Sequence, residues 1–186
     1  MDCIIHTDYT MVSKFTDKPG TMNLVEADVS ARILAAFSGY ITIAGGSCSN
    51  TLRGFAWLCK DAQNPPVYAG AVGQDDTGKA FEKLLADCGV RPALVFKQVP
   101  TGSSRILVTP DHERTMFTYL GACREYRLED FPFQLLAETA VFHTTGYMWD
   151  TENQKKAAKE LMLKAGTLKR TVSFDLADPF VVDRYG

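Results

Sequence analysis

The sequence predicts an α/β protein in which a mostly parallel, doubly wound sheet is flanked by helices. Helical and strand-like patterns alternate along most of the 186 residues, as they do in a chain of βαβ units. Short apolar segments at residues 40–44 and 67–72 are each followed by an amphipathic helical pattern. The middle of the chain differs, because three strand-like segments between residues 93 and 120 follow one another and predict a small projecting β meander.

The first half contains two strands and three helices by pattern. In order, they are a helix over 28–37, a strand over 40–44, a helix over 50–59, a strand over 67–72 and a helix over 77–88. The second helix has one apolar face, formed by Leu52, Phe55, Ala56 and Cys59. The third has the clearest end signals, since Asp76 suits an N-cap and Gly89 suits a C-terminal stop.

The second half begins with the meander and then returns to alternating strands and helices. The meander strands cover 93–98, 103–109 and 114–120, and the turn-rich segments "VPTG" and "TPDHE" join them. A strand over 140–145, a helix over 151–165 and a strand over 171–176 follow. Thr151 and Gln154 form the capping box that starts this helix.

Composition and charge exclude several classes of function. The formal net charge is −2 and the basic residues are scattered, which argues against nucleic acid or an anionic membrane surface as the main partner. No apolar run could span a bilayer, and the first residues lack the features of a signal peptide. Five widely spaced cysteines and three separated histidines give no disulfide framework and no metal-ligand spacing. We therefore expect a cytoplasmic protein with reduced thiols and no metal site of its own.

The segment "GGSCSN", residues 45–50, is the strongest candidate for a ligand loop. It follows a predicted strand, and its two glycines exceed the one that a turn needs, which suggests close approach of a ligand to the backbone. The segment is neither G-x-G-x-x-G nor a Walker A loop. Asn50 could offer a donor and an acceptor to a hydroxyl pair of a polyhydroxylated ligand. A tight turn with Asn50 as the helix N-cap is an equally supported alternative.

Several segments read as motifs in one particular order. They are "MDCIIHTDYTM", "AGGSCSNTLRGFAWL", "VGQDDTGKAFEKLLADCGV", "VPTGSSRILVTPDHERTMFTYLGA" and "VSFDLADPFVVDRY". In this order they resemble the first strand, the G-G-x-x-x-N signature, the G-x-D-x-x-G junction, the lid strands and a later core strand of the ribokinase-like (PfkB) family of sugar and nucleoside kinases. The last segment is most similar to the adenosine-kinase-like branch, and the resemblance spans nearly the whole chain.

The resemblance implies a set of substrate-binding residues. Asp2 and Asn50 would bind hydroxyls of a sugar or nucleoside, and Gly45 and Gly46 would supply close backbone contact. An ionised Asp2 only accepts hydrogen bonds, which suits two adjacent donor hydroxyls. Thr101 stands where the lid turns back, so the resemblance implies either a substrate contact or a hairpin position.

The resemblance also implies the reaction, which is ATP-dependent transfer of a phosphoryl group to a primary hydroxyl, with magnesium. Asp175 stands where the adenosine-kinase-like branch tends to carry Asn, and it is a candidate for the phosphate and magnesium side. The G-A-G-D segment that supplies the family's catalytic base and anion hole does not occur here, and no N-x-x-E motif follows the lid segments, where the resemblance implies it. We therefore expect residues 1–186 to be the N-terminal portion of a ribokinase-like domain, with the acceptor-binding half and lid strands near 93–120.

Two alternative functions stay open at this point. The chain could be a non-catalytic sugar- or nucleoside-binding module or a truncated remnant, or it could be a Rossmann-type oxidoreductase, which the missing dinucleotide fingerprint disfavours. The sequence also leaves open a homodimer through the lid. The apolar residues of the lid segments alternate only partly, so either face of the lid could be covered.

Overall fold

The computed structural model describes residues 1–60 and 64–186, apart from the side chain at position 180. The strands are β1 (Asp2–His6), β2 (Met22–Leu24), β3 (Ile41–Ile43), β4 (Val67–Gly73), β5 (Arg91–Lys97), β6 (Ser103–Val108), β7 (Arg114–Tyr119), β8 (Val141–Thr145) and β9 (Thr171–Asp175). The α-helices are α1 (Tyr9–Val12), α2 (Ala27–Ala35), α3 (Ser47–Leu58), α4 (Asp76–Asp87), α5 (Gln134–Glu138), α6 (Glu152–Thr167) and α7 (Pro179–Tyr185). Short 3-10 helices cover Gly121–Glu125, Leu128–Asp130 and Gly146–Trp149. None of the helices in this described part combines the length and the hydrophobicity that a transmembrane span requires.

The strands form one mixed sheet and two parallel pairs. The five-stranded sheet has the order β2-β7-β6-β1-β3, and the parallel pairs are β4-β5 and β8-β9. Each helix and strand predicted from the sequence is confirmed, with ends that differ by at most three residues. The predicted three-strand meander is wrong, because β5 pairs in parallel with β4 and only β6 and β7 form an antiparallel hairpin.

Helices pack on both sides of the parallel pairs. On one side, α3 and α4 bury Ala56, Phe81 and Leu85 against β4 in a shared cluster. On the other side, α5 and α6 contribute to a second cluster that includes residues of β4, β5 and β8. This arrangement confirms the predicted fold class, in which parallel strands are flanked by helices. The N-cap of α4 is Asp75 and not Asp76, because the side chain of Asp75 accepts a hydrogen bond from the Gly78 amide.

The five-stranded sheet has one covered face and one open face. Ile5, Leu107 and Phe117 lie on the covered face and form a buried cluster with residues of α1 and α2. Because side chains alternate along a strand, Ile106 and Met116 lie on the opposite face, where they are only half-buried. The structure thus decides which face of the hairpin is covered. The face that carries Phe117 packs against the helices, and the face that carries Met116 does not.

Two of the places where the chain passes between the five-stranded sheet and the parallel pairs are adjacent to each other, at residues 100–102 and 120–122. The Ala122 amide donates to the Pro100 carbonyl oxygen at 2.9 Å. A Cβ atom on Gly102 would overlap the carbonyl oxygen of Leu120, and one on Gly121 would overlap that of Pro100. The two crossings are therefore packed backbone against backbone, with no room for a side chain between them.

Candidate functional site

The predicted ligand loop connects β3 to α3. Gly46 is the N-cap of α3 with φ +94° and ψ 139°, a conformation that glycine adopts far more easily than other residues. Asn50 lies in the first turn of the helix, and its backbone N–H donates to the Gly46 carbonyl oxygen at 2.9 Å. The alternative in which Asn50 is the N-cap is therefore wrong, and its side chain is available for another role.

Asp2 reaches this loop from the neighbouring strand. Residue 2 on β1 pairs with Ile43 on β3, two residues before Gly45. A Cβ atom on Gly45 would overlap all three carboxyl-group atoms of Asp2, so only glycine leaves space for that carboxylate. The structure therefore brings together two of the residues that the sequence singled out, Asp2 and Gly45, which are far apart along the chain.

The environment of the Asp2 carboxylate is unusual for a charged group. Burial raises the pKa of Asp2, and the nearby N-terminal ammonium of Met1 partly opposes this effect. Within the described residues, no hydrogen bond to the Asp2 carboxylate is present, while the Met1 ammonium donates to the Gly102 carbonyl oxygen at 3.0 Å. A partly desolvated carboxylate without donors is able to accept hydrogen bonds from a ligand.

Asn50 is exposed and is held by an arginine on the same helix. The Arg53 guanidinium donates through Nη1 to Asn50 Oδ1 at 3.3 Å and to the Ala44 carbonyl oxygen at 2.7 Å. Arg53 belongs to no motif of the sequence. The available signal was its spacing of three residues from Asn50, which puts both side chains on one helical face.

The structure places Thr101 in a different cluster, at the start of α4. The Thr101 hydroxyl donates to Asp75 Oδ1 at 2.6 Å and accepts from the Gly73 amide at 2.9 Å, and the Thr101 amide donates to Asp75 Oδ2 at 2.7 Å. Burial alone would raise the pKa of Asp75, but hydrogen bonds from Thr101 and Gly78 outweigh burial and lower it. Thr101 therefore uses its hydroxyl within the protein, at one of the two adjacent crossings.

Asp175 lies at the carboxyl end of β9, exposed to solvent. Its Oδ1 accepts a hydrogen bond from the Ala177 amide at 2.9 Å. Burial raises the pKa of Cys48, at the start of α3, to about 11, and a Thr145 hydrogen bond and the Asp175 charge act on the same thiol with smaller effects. The carboxyl ends of β8 and β9 therefore lie near the ligand loop, as expected for parallel strands.

A magnesium site does not assemble from the described residues alone. They contain no group of three or more His, Cys, Asp or Glu side chains that could hold a metal ion. Asp175 is a single carboxylate that already accepts a backbone hydrogen bond. Because Mg²⁺ is usually held by one or two carboxylates together with phosphate oxygens and water, Asp175 would be one ligand of such a site and not a complete site by itself.

The sequence matches the model of one protein family over most of its length. The model of the pfkB family of carbohydrate kinases matches residues 21–183. The chain belongs to the pfkB family. That match includes the ligand loop, both crossings and β9, so it covers most of the features described above.

Known proteins and solved structures that are similar to the chain are about twice as long as it. An adenosine kinase from Dictyostelium discoideum is 26% identical over 98% of this chain and 54% of its own length. The crystal structure of adenosine kinase from Sinorhizobium meliloti has 33% identity and a TM-score of 0.87, covering 99% of this chain and 56% of its own. A probable sugar kinase from Rhizobium etli CFN 42 has 32% identity and a TM-score of 0.88, covering 99% and 55%. The chain thus spans about half the length of these relatives.

Proposed function

We propose that this chain is the acceptor-binding part of a pfkB-family kinase that phosphorylates a primary hydroxyl of a nucleoside or sugar. The observation that carries the proposal is the Asp2 carboxylate, which is partly desolvated, lacks donors in the described residues and packs on Gly45. Two adjacent hydroxyls of a ribose ring would supply the missing donors to this carboxylate. Asn50, on the first turn of the helix that follows the loop, would bind the same hydroxyl pair.

The five-stranded sheet is the proposed lid of this site. Asp2 lies on its open face, and so do Ile4, Ile106 and Met116, because paired residues of neighbouring strands point to the same side. An apolar face next to a hydroxyl-binding carboxylate suits a ligand with a flat base attached to a ribose. For this reason we favour a nucleoside, such as adenosine, over a simple sugar. A lid also excludes water, which competes with the acceptor for the phosphoryl group.

Turnover needs more than these residues provide. ATP is the phosphoryl donor that kinase activity implies, and magnesium is its usual counter-ion. Asp175, near the ligand loop, is the residue of this chain that we assign to the phosphate side. The chain spans about half the length of its relatives, and its sequence has no G-A-G-D segment and no N-x-x-E motif after the lid strands. We therefore expect the 186-residue chain to bind its acceptor without hydrolysing or transferring phosphate from ATP.

Calorimetric titration tests the proposed acceptor site directly. Adenosine and ribose are titrated into the wild-type chain, Asp2→Asn and the control Gly54→Ala, whose added Cβ meets nothing within 4 Å. We expect adenosine to bind more tightly than ribose, the control to bind like wild type, and D2N to bind at least about tenfold more weakly. Absence of saturable binding of either compound to the wild-type chain would contradict the proposal. Acceptor-dependent consumption of ATP by the pure chain would contradict the expected lack of turnover.

A further inference from the structure

The Arg53 side chain folds back along α3 toward the ligand loop. Its Nη1 atom donates to the carbonyl oxygen of Ala44, the buried residue immediately before Gly45, at 2.7 Å. The same atom donates to Asn50 Oδ1 at 3.3 Å. One guanidinium group therefore links the end of the strand segment to the side chain of Asn50, on the two sides of the glycine pair.

This link fixes which way the Asn50 carboxamide points. A carboxamide has an acceptor oxygen and a donor nitrogen of similar shape, and its orientation follows from its hydrogen-bond partners. A reversed amide would place its NH₂ group against the cationic guanidinium, donor against donor. With Oδ1 held by Arg53, the Nδ2 atom makes no hydrogen bond to the described residues and projects two donors from an exposed side chain.

A role for Arg53 in an ordinary surface ion pair does not explain this conformation. Asp87 lines the same open groove as Arg53, but its carboxylate pairs with Lys83 at 2.6 Å. Within the described part of the chain, Arg53 forms no ion pair, and its buried Nε atom has no hydrogen-bond partner. An unpartnered buried donor opposes folding, so the conformation is poorly explained by stability alone.

We infer that Arg53 is a positioning residue, which orients the Asn50 carboxamide so that Nδ2 donates to a hydroxyl oxygen of the acceptor. This inference rests on the proposed function for the identity of the ligand. It assigns complementary roles to the two polar side chains at the loop. Asp2 accepts hydrogen bonds from the hydroxyl pair, and Asn50 donates to it. Arg53 acts through Asn50 and does not touch the ligand.

A double-mutant cycle distinguishes this indirect role from a direct contact. Adenosine affinity is measured by calorimetry for wild type, Arg53→Met, Asn50→Ala and the double variant, with Arg53→Lys as the conservative change. The matched control is Arg32→Met on α2, which removes an exposed arginine whose carboxylate partner lies 4.0 Å away. Thermal unfolding of each variant confirms that it is folded.

The expected pattern is a loss of about tenfold in affinity for R53M and a similar loss for N50A, since each removes one oriented hydrogen bond. In the N50A background, R53M should change affinity by no more than about twofold, because no carboxamide remains to be oriented. R53K should restore part of the lost affinity, and R32M should bind like wild type. Equal losses from R53M in both backgrounds, or no loss in the wild-type background, would overturn the inference.

A second measurement does not depend on the ligand. The heteronuclear NOE of the Asn50 Nδ2 group is recorded for the ligand-free wild-type chain and for R53M. We expect an ordered side-chain amide in wild type and a fall of at least about one third in R53M, because the Arg53 contact restricts the amide. An unchanged NOE would show that Arg53 does not orient Asn50, even if adenosine proves not to bind. Failure of wild-type binding with a changed NOE would contradict the proposed function and leave the Arg53–Asn50 link supported.

Discussion

Substitution of Thr101 by valine separates a structural role of this residue from a ligand contact. Valine has nearly the same shape as threonine but lacks the hydroxyl, which donates to Asp75 Oδ1 and accepts from the Gly73 amide. T101V therefore leaves a buried N–H without its acceptor and a carboxylate without one of its donors. The matched control is T101S, which keeps the hydroxyl and loses only a methyl group.

The structure sets the magnitude of the expected loss. The buried Gly73 amide without a partner costs about 1–3 kcal/mol. The lost bond to Asp75 adds about 1 kcal/mol, near the low end for a charged partner, because water replaces the donor at this half-exposed carboxylate. The expected decrease in the free energy of unfolding is about 2–4 kcal/mol, or about 4–16 °C in the melting temperature of a chain this long. T101S should lose about 1 kcal/mol, the contribution of one buried methyl group.

Urea unfolding at pH 7 measures the difference between these variants, and its pH dependence adds a second observable. The folded-state pKa of Asp75 lies below the ordinary 3.8, so its stabilisation is present above that pH and is lost as the pH falls through the lower folded value. T101V removes one of the hydrogen bonds that lower this pKa. Its stability should therefore fall less steeply between pH 5 and pH 3 than that of wild type.

Two results would refute this reasoning. One is a T101V chain that unfolds within about 0.5 kcal/mol of T101S, the range of an ordinary surface substitution. The other is a T101V chain of unchanged stability that loses affinity for adenosine. That second result would place the hydroxyl on the ligand, as the family resemblance allows.

Three further predictions concern the loop, the thiols and an ion pair. Gly45→Ala should weaken adenosine binding at least about tenfold, because the added Cβ overlaps the Asp2 carboxylate. The control Gly54→Ala should keep the affinity of wild type and stabilise α3 by about 0.5–1 kcal/mol. Equal adenosine affinities of the two variants would contradict the importance of this overlap. Because burial raises the pKa of Cys48 from 9.0 to about 11, only about 0.1% of this thiol should be thiolate at pH 8, instead of about 10%. Mass spectrometry of the chain treated with an alkylating reagent should therefore show the exposed Cys88 modified before Cys48. Modification of Cys48 before Cys88 would contradict this prediction. Lys97→Met should cost about 3 kcal/mol in urea unfolding, near the low end for a broken buried ion pair, because it removes the ammonium 2.7 Å from the largely buried Asp130 carboxylate while the Arg127 amide still donates to that carboxylate. Replacing both partners by apolar residues should recover most of this loss.

The elements with strong local signals were predictable from the sequence. The α4 helix has a regular apolar stripe and a Gly stop, and α6 begins at the predicted Thr151 N-cap. The short helices α1 and α5 have four and five residues, too few for a periodic pattern to be recognised. Local signals are also accurate only to a residue or so at helix starts, where Asp75 and Asp76 are chemically equivalent candidates.

Strand partners were the least predictable part of the fold. Residues 93–98 look like a neighbour of the next two strands because short turns separate them, but β5 pairs with β4 across the α4 helix. Periodicity reports which residues share a face and does not report which strand lies beside another. The contact of Asp2 with Gly45 has the same origin, since it depends on the pairing of β1 with β3. From the sequence, only the resemblance to a kinase family places Asp2 and Gly45 in one site.

The hydrogen-bond partners of individual side chains were also not predictable from the sequence. Arg53 has no motif of its own, and its importance follows from the atoms that its guanidinium reaches. The resemblance places Thr101 in a lid turn, while its hydrogen bonds connect it to the start of α4. A side chain with several donors or acceptors has many partners available to it, and the tertiary fold decides among them.

The two adjacent crossings between the sheets determine where the protein can be modified without loss of its architecture. An insertion of one residue at position 101 or 102 would shift β6 by one residue and exchange the residues on its two faces. The hairpin turn between β6 and β7 is different, since residues 110–113 are exposed and the strands on both sides are already in register there. A fluorescent label or an affinity tag placed in that turn would report on the five-stranded sheet while the crossings keep their packing.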